Sequence, residues 1–139
     1  MATRSNIIIQ DKYKRVQVYR HWDGYPAGVI PDLADALQYA WELPRFEADD
    51  FAAAIVRAWK QEGGGNIYID GSPKGFELVH GDTEYVCVVK FDTMKHELFV
   101  EVYDWHDHWF GDSDTTKKSF KPKIKEKIYF SQIKDYKAA

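Results

Sequence analysis

A chain of 139 residues that is 45% apolar and 29% charged is long enough for one hydrophobic core and too apolar for wholesale disorder. Its single cysteine, Cys87, excludes an intrachain disulfide framework, and no apolar run approaches the roughly 20 residues that span a bilayer. The net charge of −3 is unevenly spread: residues 115–139 hold eight lysines against Glu126 and Asp135, a balance of +6, which leaves −9 on residues 1–114.

Ile7-Ile8-Ile9 and Arg15-Val16-Gln17-Val18-Tyr19-Arg20-His21 read as two β-strands joined by the short polar connector Asp11-Lys12-Tyr13-Lys14, a hairpin. On the second strand Val16 and Val18 share one face, while Gln17, Tyr19 and His21 share the other. The segment from His21 to Gly28 contains two glycines and a proline and reads as a structured loop. Ile30, Leu33, Ala34, Leu37, Ala40 and Trp41 keep helical spacing, with Pro31 and Asp32 suited to a first turn and Pro44 as the stop. A second helical stripe, Phe51, Ala52, Ile55, Ala58 and Trp59, opens behind Asp49 and Asp50 and stops at Gly63-Gly64-Gly65.

The second half is strand-rich, with candidates at 66–70, 76–80, 84–91 and 97–105, and short polar connectors that predict an antiparallel meander. Leu98, Val100 and Val102 alternate with Phe99, Glu101 and Tyr103, so one face of that strand belongs to the core. Ile128-Tyr129-Phe130 with Ile133 returns to the body as a last strand or a docked piece. The order ββ, αα, ββββ predicts an α+β fold: a mainly antiparallel sheet with two consecutive helices inserted after the first hairpin, as a two-layer sandwich. One domain is expected over 1–139, with 115–139 as its basic end.

Chemistry-bearing side chains concentrate in two stretches, each directly after a predicted strand: His21-Trp22-Asp23 and Asp104-Trp105-His106-Asp107-His108-Trp109. Imidazoles and carboxylates could ligate a transition metal or move protons, and His21, Asp23, His106 and His108 are the candidate metal set, with Asp107 beside them. The pattern lacks His-Glu-x-x-His or a cysteine pair, and its aspartates miss the spacing of an EF-hand loop. Gly63-Gly64-Gly65 follows a helix and lacks the Lys-Ser/Thr of a P-loop, and no serine sits in a nucleophile elbow. Cys87, within Tyr85-Val86-Cys87-Val88-Val89, reads as a small core residue.

The bland reading of the first stretch is a tight corner, with Trp22 buried under the turn, Asp23 bonded to loop amides and Gly24 at positive φ. The functional reading takes Trp22, Asp23, Tyr25, His106, Asp107 and Trp109 as a shared aromatic and acidic binding surface, because tryptophan and tyrosine dominate binding hot spots. The lysine-rich end offers a third reading, nucleic-acid binding through Lys117, Lys118, Lys121 and Lys123, against which stands a solvated edge strand that lysines protect from stray pairing.

Thr3-Arg4-Ser5-Asn6-Ile7-Ile8-Ile9 and Tyr19-Arg20-His21-Trp22-Asp23-Gly24-Tyr25-Pro26 resemble a group of small uncharacterised phage and prophage proteins with a Thr-Arg-Ser-x-Ile strand and a His-Trp-Asp-Gly-Tyr-Pro segment. Glu84-Tyr85-Val86-Cys87-Val88-Val89 is similar more weakly, with Cys87 where the group often has tyrosine; the lysine-rich end is outside the resemblance. The resemblance implies a viral or mobile-element origin and carries no catalytic residue. The expectation is therefore a non-enzymatic, cytoplasmic accessory protein that binds a host or phage protein, with self-association as a homodimer also in view. A metal-dependent hydrolase and a nucleic-acid binder are the alternatives; no cofactor and no membrane association are expected.

Overall fold

A computed structural model of the chain describes residues 3–60, 67–70, 83–104 and 124–136. Strands β1 (Ser5–Gln10) and β2 (Arg15–Arg20) form the expected hairpin, in which Ile7 faces Val18 across the ladder. Its turn is held by Asp11, whose Oδ1 accepts the backbone N–H groups of Tyr13 and Lys14 at 2.7 and 2.8 Å. The β4 (Tyr85–Asp92) to β5 (Glu97–Asp104) hairpin repeats the device: Asp92 Oδ1 accepts from Met94 and Lys95, and His96 takes a positive φ of 55°.

Helix α1 spans Pro26–Ala36 and runs into a short 3-10 turn at Leu37–Tyr39. It therefore starts four residues before the expected first residue, Ile30, and the end of the predicted loop is already helical. Pro26 occupies the first turn, where no N–H partner is needed, while Pro31 lies inside the helix instead of opening it. Helix α2 (Ala48–Lys60) agrees with the predicted stripe, burying Phe51, Ala52, Ile55 and Trp59. Asp49 and Asp50 in its first turn and Arg57 and Lys60 in its last complement the helix dipole.

Among the described residues six strands follow the order β3-β2-β1-β4-β5-β6, where β3 is Ile67–Asp70 and β6 is Ile124–Tyr129. Four pairings are antiparallel, but the central pair, β1 and β4, is parallel, with Ser5 opposite Tyr85. The sheet is mixed, and the antiparallel meander is corrected: β3 pairs with β2 and does not run on to β4. The cue lay in Ile7-Ile8-Ile9 and Val86-Cys87-Val88-Val89, unbroken apolar runs that suit strands buried on both faces. The predicted strand at 76–80 lies outside the described residues, as does Gly63-Gly64-Gly65.

Residues of β1, β2, β4, β5 and β6 that share one face, among them Ile7, Ile9, Val18, Val89, Leu98, Val100 and Ile128, form one core with Val29, Ile30 and Leu33 of α1 and Phe51 and Ile55 of α2. Each such fully buried side chain is worth roughly 1.5–3 kcal/mol over exposure. The opposite face carries a smaller cluster, Ile8, Val86, Val88 and Tyr103. Strand β6 closes one edge of the sheet with Lys125 and Lys127 exposed, as expected of a lysine-guarded edge, and Ile128 buried. The chain then turns through a 3-10 segment, Phe130–Asp135, that buries Ile133. Among the described residues no helix is long and apolar enough to cross a membrane.

Candidate functional site

The end of β2 and the start of α1 meet at a corner made by residues 21–25, beside the N-terminal end of β1. Asp23 adopts a positive φ of 55°, a conformation that Asp tolerates better than most residues. The Gly24 N–H donates to the Thr3 carbonyl at 2.8 Å. A Cβ on Gly24 would stand 2.6 Å from that carbonyl oxygen and 2.8 Å from the Ser5 nitrogen, so glycine is needed there for close approach. The sequence reading gave Gly24 the positive φ; Asp23 carries it instead.

Arg20 fixes the corner from below. Its position on the face shared with Val16 and Val18 puts a charge toward the core, and its side chain is only 8% exposed. Nε donates to the Trp22 carbonyl at 3.0 Å, a terminal nitrogen donates to Asp32 Oδ2 of α1 at 2.8 Å, and the guanidinium lies 4.5 Å from the Trp59 ring centroid of α2. Trp59 Nε1 in turn donates to the Asp32 carbonyl at 3.1 Å. One arginine therefore ties the corner to both helices.

What the corner presents outward is aromatic. Trp22 is 49% exposed and Tyr25 42%, which corrects the view of Trp22 as buried under the turn. Asp23 is exposed as well, and its carboxylate has no hydrogen-bond partner among the described residues, so the expected bonds to loop amides are not made. Behind Trp22 runs a row of rings along the sheet face opposite the helices. His21 meets Trp22 edge-on at 4.7 Å, Tyr19 lies 6.0 Å from His21, and Tyr68 of the edge strand β3 lies 5.9 Å from Tyr19. His21 Nδ1 and the Tyr19 hydroxyl share a hydrogen bond of 2.8 Å.

The cleft beside Arg20 is walled by Asp23, Asp32, Asp35 and Trp59 and holds about 120 Å³. That is well under the roughly 300–1,000 Å³ of ordinary small-molecule sites, so the corner offers protruding side chains more than a cavity. Among the described residues no group of three His, Cys, Asp or Glu side chains is arranged to hold a metal. His106, Asp107, His108 and Trp109 lie outside the described residues, as do Lys117, Lys118, Lys121 and Lys123. Of the six expected binding residues, Trp22, Asp23 and Tyr25 are thus placed together on one exposed corner.

The sequence reading missed Arg20, Asp32 and Trp59 as the parts that hold this corner, and Tyr68 as the end of the ring row. A signal was present for Arg20: a charge at a core-facing strand position calls for a buried partner. Cys87 is fully buried in the core, and that burial pushes its thiol up to about 12 despite the positive charge of Arg20, which fits a packing role. Comparison of the chain with models of protein families, with curated proteins and with solved structures finds no match.

Proposed function

We propose that this protein is a phage- or prophage-type accessory protein that acts by binding a partner protein through the β2–α1 corner, with Trp22 and Tyr25 as anchors and Asp23 as the acidic contact. One observation carries the reading: two large aromatic side chains stand about half exposed on a backbone locked by Arg20 and Gly24. Aromatic anchors on a rigid support lose little conformational freedom on binding, so more of their burial is retained as affinity. Three carboxylates around the corner, Asp23, Asp32 and Asp35, favour a partner surface with basic residues. The same reading assigns His106, Asp107 and Trp109 to partner binding, and a cytoplasmic setting agrees with it.

The test is affinity capture from a bacterial host lysate with the wild-type chain and with a Trp22→Ala/Tyr25→Ala variant of unchanged melting temperature. A specific partner captured by the first and lost by the second supports the reading. Equal capture by both would remove it. Nucleic-acid binding is the second reading, favoured by lysines set against rings at β5 and β6, where the Lys127 ammonium lies 4.4 Å from the Phe99 ring and that of Lys95 lies 4.1 Å from Tyr129. It predicts single-strand affinity that falls steeply with added salt and is lost when Lys117, Lys118, Lys121 and Lys123 become glutamate.

A further inference from the structure

The opposite end of β1 holds a cavity that the corner does not use. Strands β1 and β4 run parallel, so their carboxyl ends, Gln10 and Asp92, emerge on the same side of the sheet. From the first corner this end is about 17 Å away, at 3.3 Å per residue along β1. A cavity of about 510 Å³ opens there. It lies outside the carboxyl ends of neighbouring parallel strands, where open sheets with parallel strands commonly bind ligands.

Its lining combines flat apolar rings with positive charge. Phe46 and Phe91 lie nearly parallel, 25° apart, with centroids 6.1 Å from each other, and Phe46 is anchored on the core ring of Phe51. Lys12 and Arg45 supply two cations to the same lining. Lys12 has no carboxylate partner among the described residues. Arg45 is steadied from outside the cavity, Nε on Glu47 at 2.7 Å and the guanidinium 3.9 Å from the Trp41 ring centroid, which leaves its two terminal nitrogens uncommitted. Lys90 lines the cavity too, but its ammonium is turned to the opposite sheet face, where it pairs with Glu101 at 2.7 Å.

Asp11 also lines the cavity, but its charge is already occupied. Its Oδ1 accepts from Tyr13 and Lys14, and its Oδ2 accepts from the Ala48 N–H at the start of α2 at 2.8 Å. An incoming anion therefore faces Lys12 and Arg45 more than it faces Asp11. The sequence hints at the arrangement in Arg45-Phe46, which sets a cation next to a ring.

We infer that this cavity binds a small anionic molecule with a flat ring, of about mononucleotide size, the ring lying against Phe46 and Phe91 and the anionic group meeting Lys12 and Arg45. The volume lies within the usual range for small ligands, about 300–1,000 Å³, and a few placed polar groups over an apolar floor is the usual composition of such sites. Arginine contributes the planar, two-pronged geometry that phosphates and carboxylates accept.

Amide chemical shifts of the isotopically labelled full chain test this, titrated with AMP, CMP, benzoate and indole-3-carboxylate, and separately with adenosine and inorganic phosphate. At least one ring-bearing anion is expected to shift residues 10–12, 45–46 and 90–93 with a Kd of about 1 mM or tighter. Its uncharged or ringless counterpart should bind at least about tenfold more weakly, and Arg45→Glu and Lys12→Glu should each weaken it by about tenfold or more. The Trp22→Ala/Tyr25→Ala variant should bind as the wild type does, which separates this site from the corner. Silence of those residues toward all four ring-bearing anions would overturn the inference. So would equal binding of phosphate alone, or unchanged affinity in both charge-reversal variants.

Discussion

Arg20 is the most informative residue to perturb, because three of its interactions can be weighed separately. The bond from Nε to the Trp22 carbonyl is a charge-assisted contact of a nearly buried side chain, worth about 1.5 kcal/mol. The ion pair with Asp32 is discounted to about 0.5 kcal/mol, because that carboxylate is 41% exposed and regains water when released. Stacking on the largely buried Trp59 ring adds about 1 kcal/mol. Arg20→Ala is therefore expected to cost about 3 kcal/mol, a fall in melting temperature of roughly 10 °C. Arg20→Lys keeps the charge but cannot reach both oxygens in the same fork geometry, and should lose about half as much. Urea titration followed by far-UV circular dichroism measures both, with an unchanged m-value confirming that the unfolded reference is the same. Acrylamide quenching of Trp22 should rise in Arg20→Ala as the corner loosens. A loss under about 1 kcal/mol would refute the view that this arginine ties the corner to the helices.

Other perturbations test separate parts of the fold. Gly24→Ala should destabilise by about 2 kcal/mol, since the new methyl meets backbone atoms that cannot swing aside; a thermal melt within error of the wild type would contradict this. Asp11 combines partial burial, which opposes ionisation, with backbone N–H bonds from Ala48, Tyr13 and Lys14 and the Lys14 charge, and the net effect holds its carboxyl below the usual value. That contribution is complete above the unfolded pKa near 3.8 and is lost as pH falls through the lower folded value. The stability gap between wild type and Asp11→Ala should thus be about 1–2 kcal/mol at neutral pH and narrow below pH of about 3.8, as chemical denaturation along a pH series would show. Cys87 should stay silent toward Ellman's reagent in the native protein and titrate as one thiol per chain once guanidinium unfolds it; rapid native labelling would show that its strand opens readily.

Local pattern made much of this architecture legible. The alternation in β2 and β5 and the 3.6-residue stripe of α2 are short-range signals, and each element stands where those signals place it. The start of α1 was harder, because Pro26 and Pro31 both satisfy the rule for a first helical turn; the helix begins at the earlier one and forgoes a single hydrogen bond at the later. Strand order is a long-range property, and nothing local in 67–70 says that it pairs with β2 and not with its successor in the chain. At the corner, residue types identified Trp22 and Tyr25, but their exposure depends on what Arg20 and Gly24 do beneath them. The cavity at the far end of β1 escaped sequence reading because its lining comes from three separate segments.

The parallel seam between β1 and β4 also bears on how the molecule assembles. The hairpins β1–β2 and β4–β5 need only short loops to close, whereas Ser5 must find Tyr85 across most of the chain's length. Closing so long a loop costs entropy before any contact rewards it, which sets the pace of such topologies. Truncating Ile8 or Val88 at that seam should therefore slow the arrival of the native state, while trimming Leu98 within its hairpin should mainly hasten departure from it.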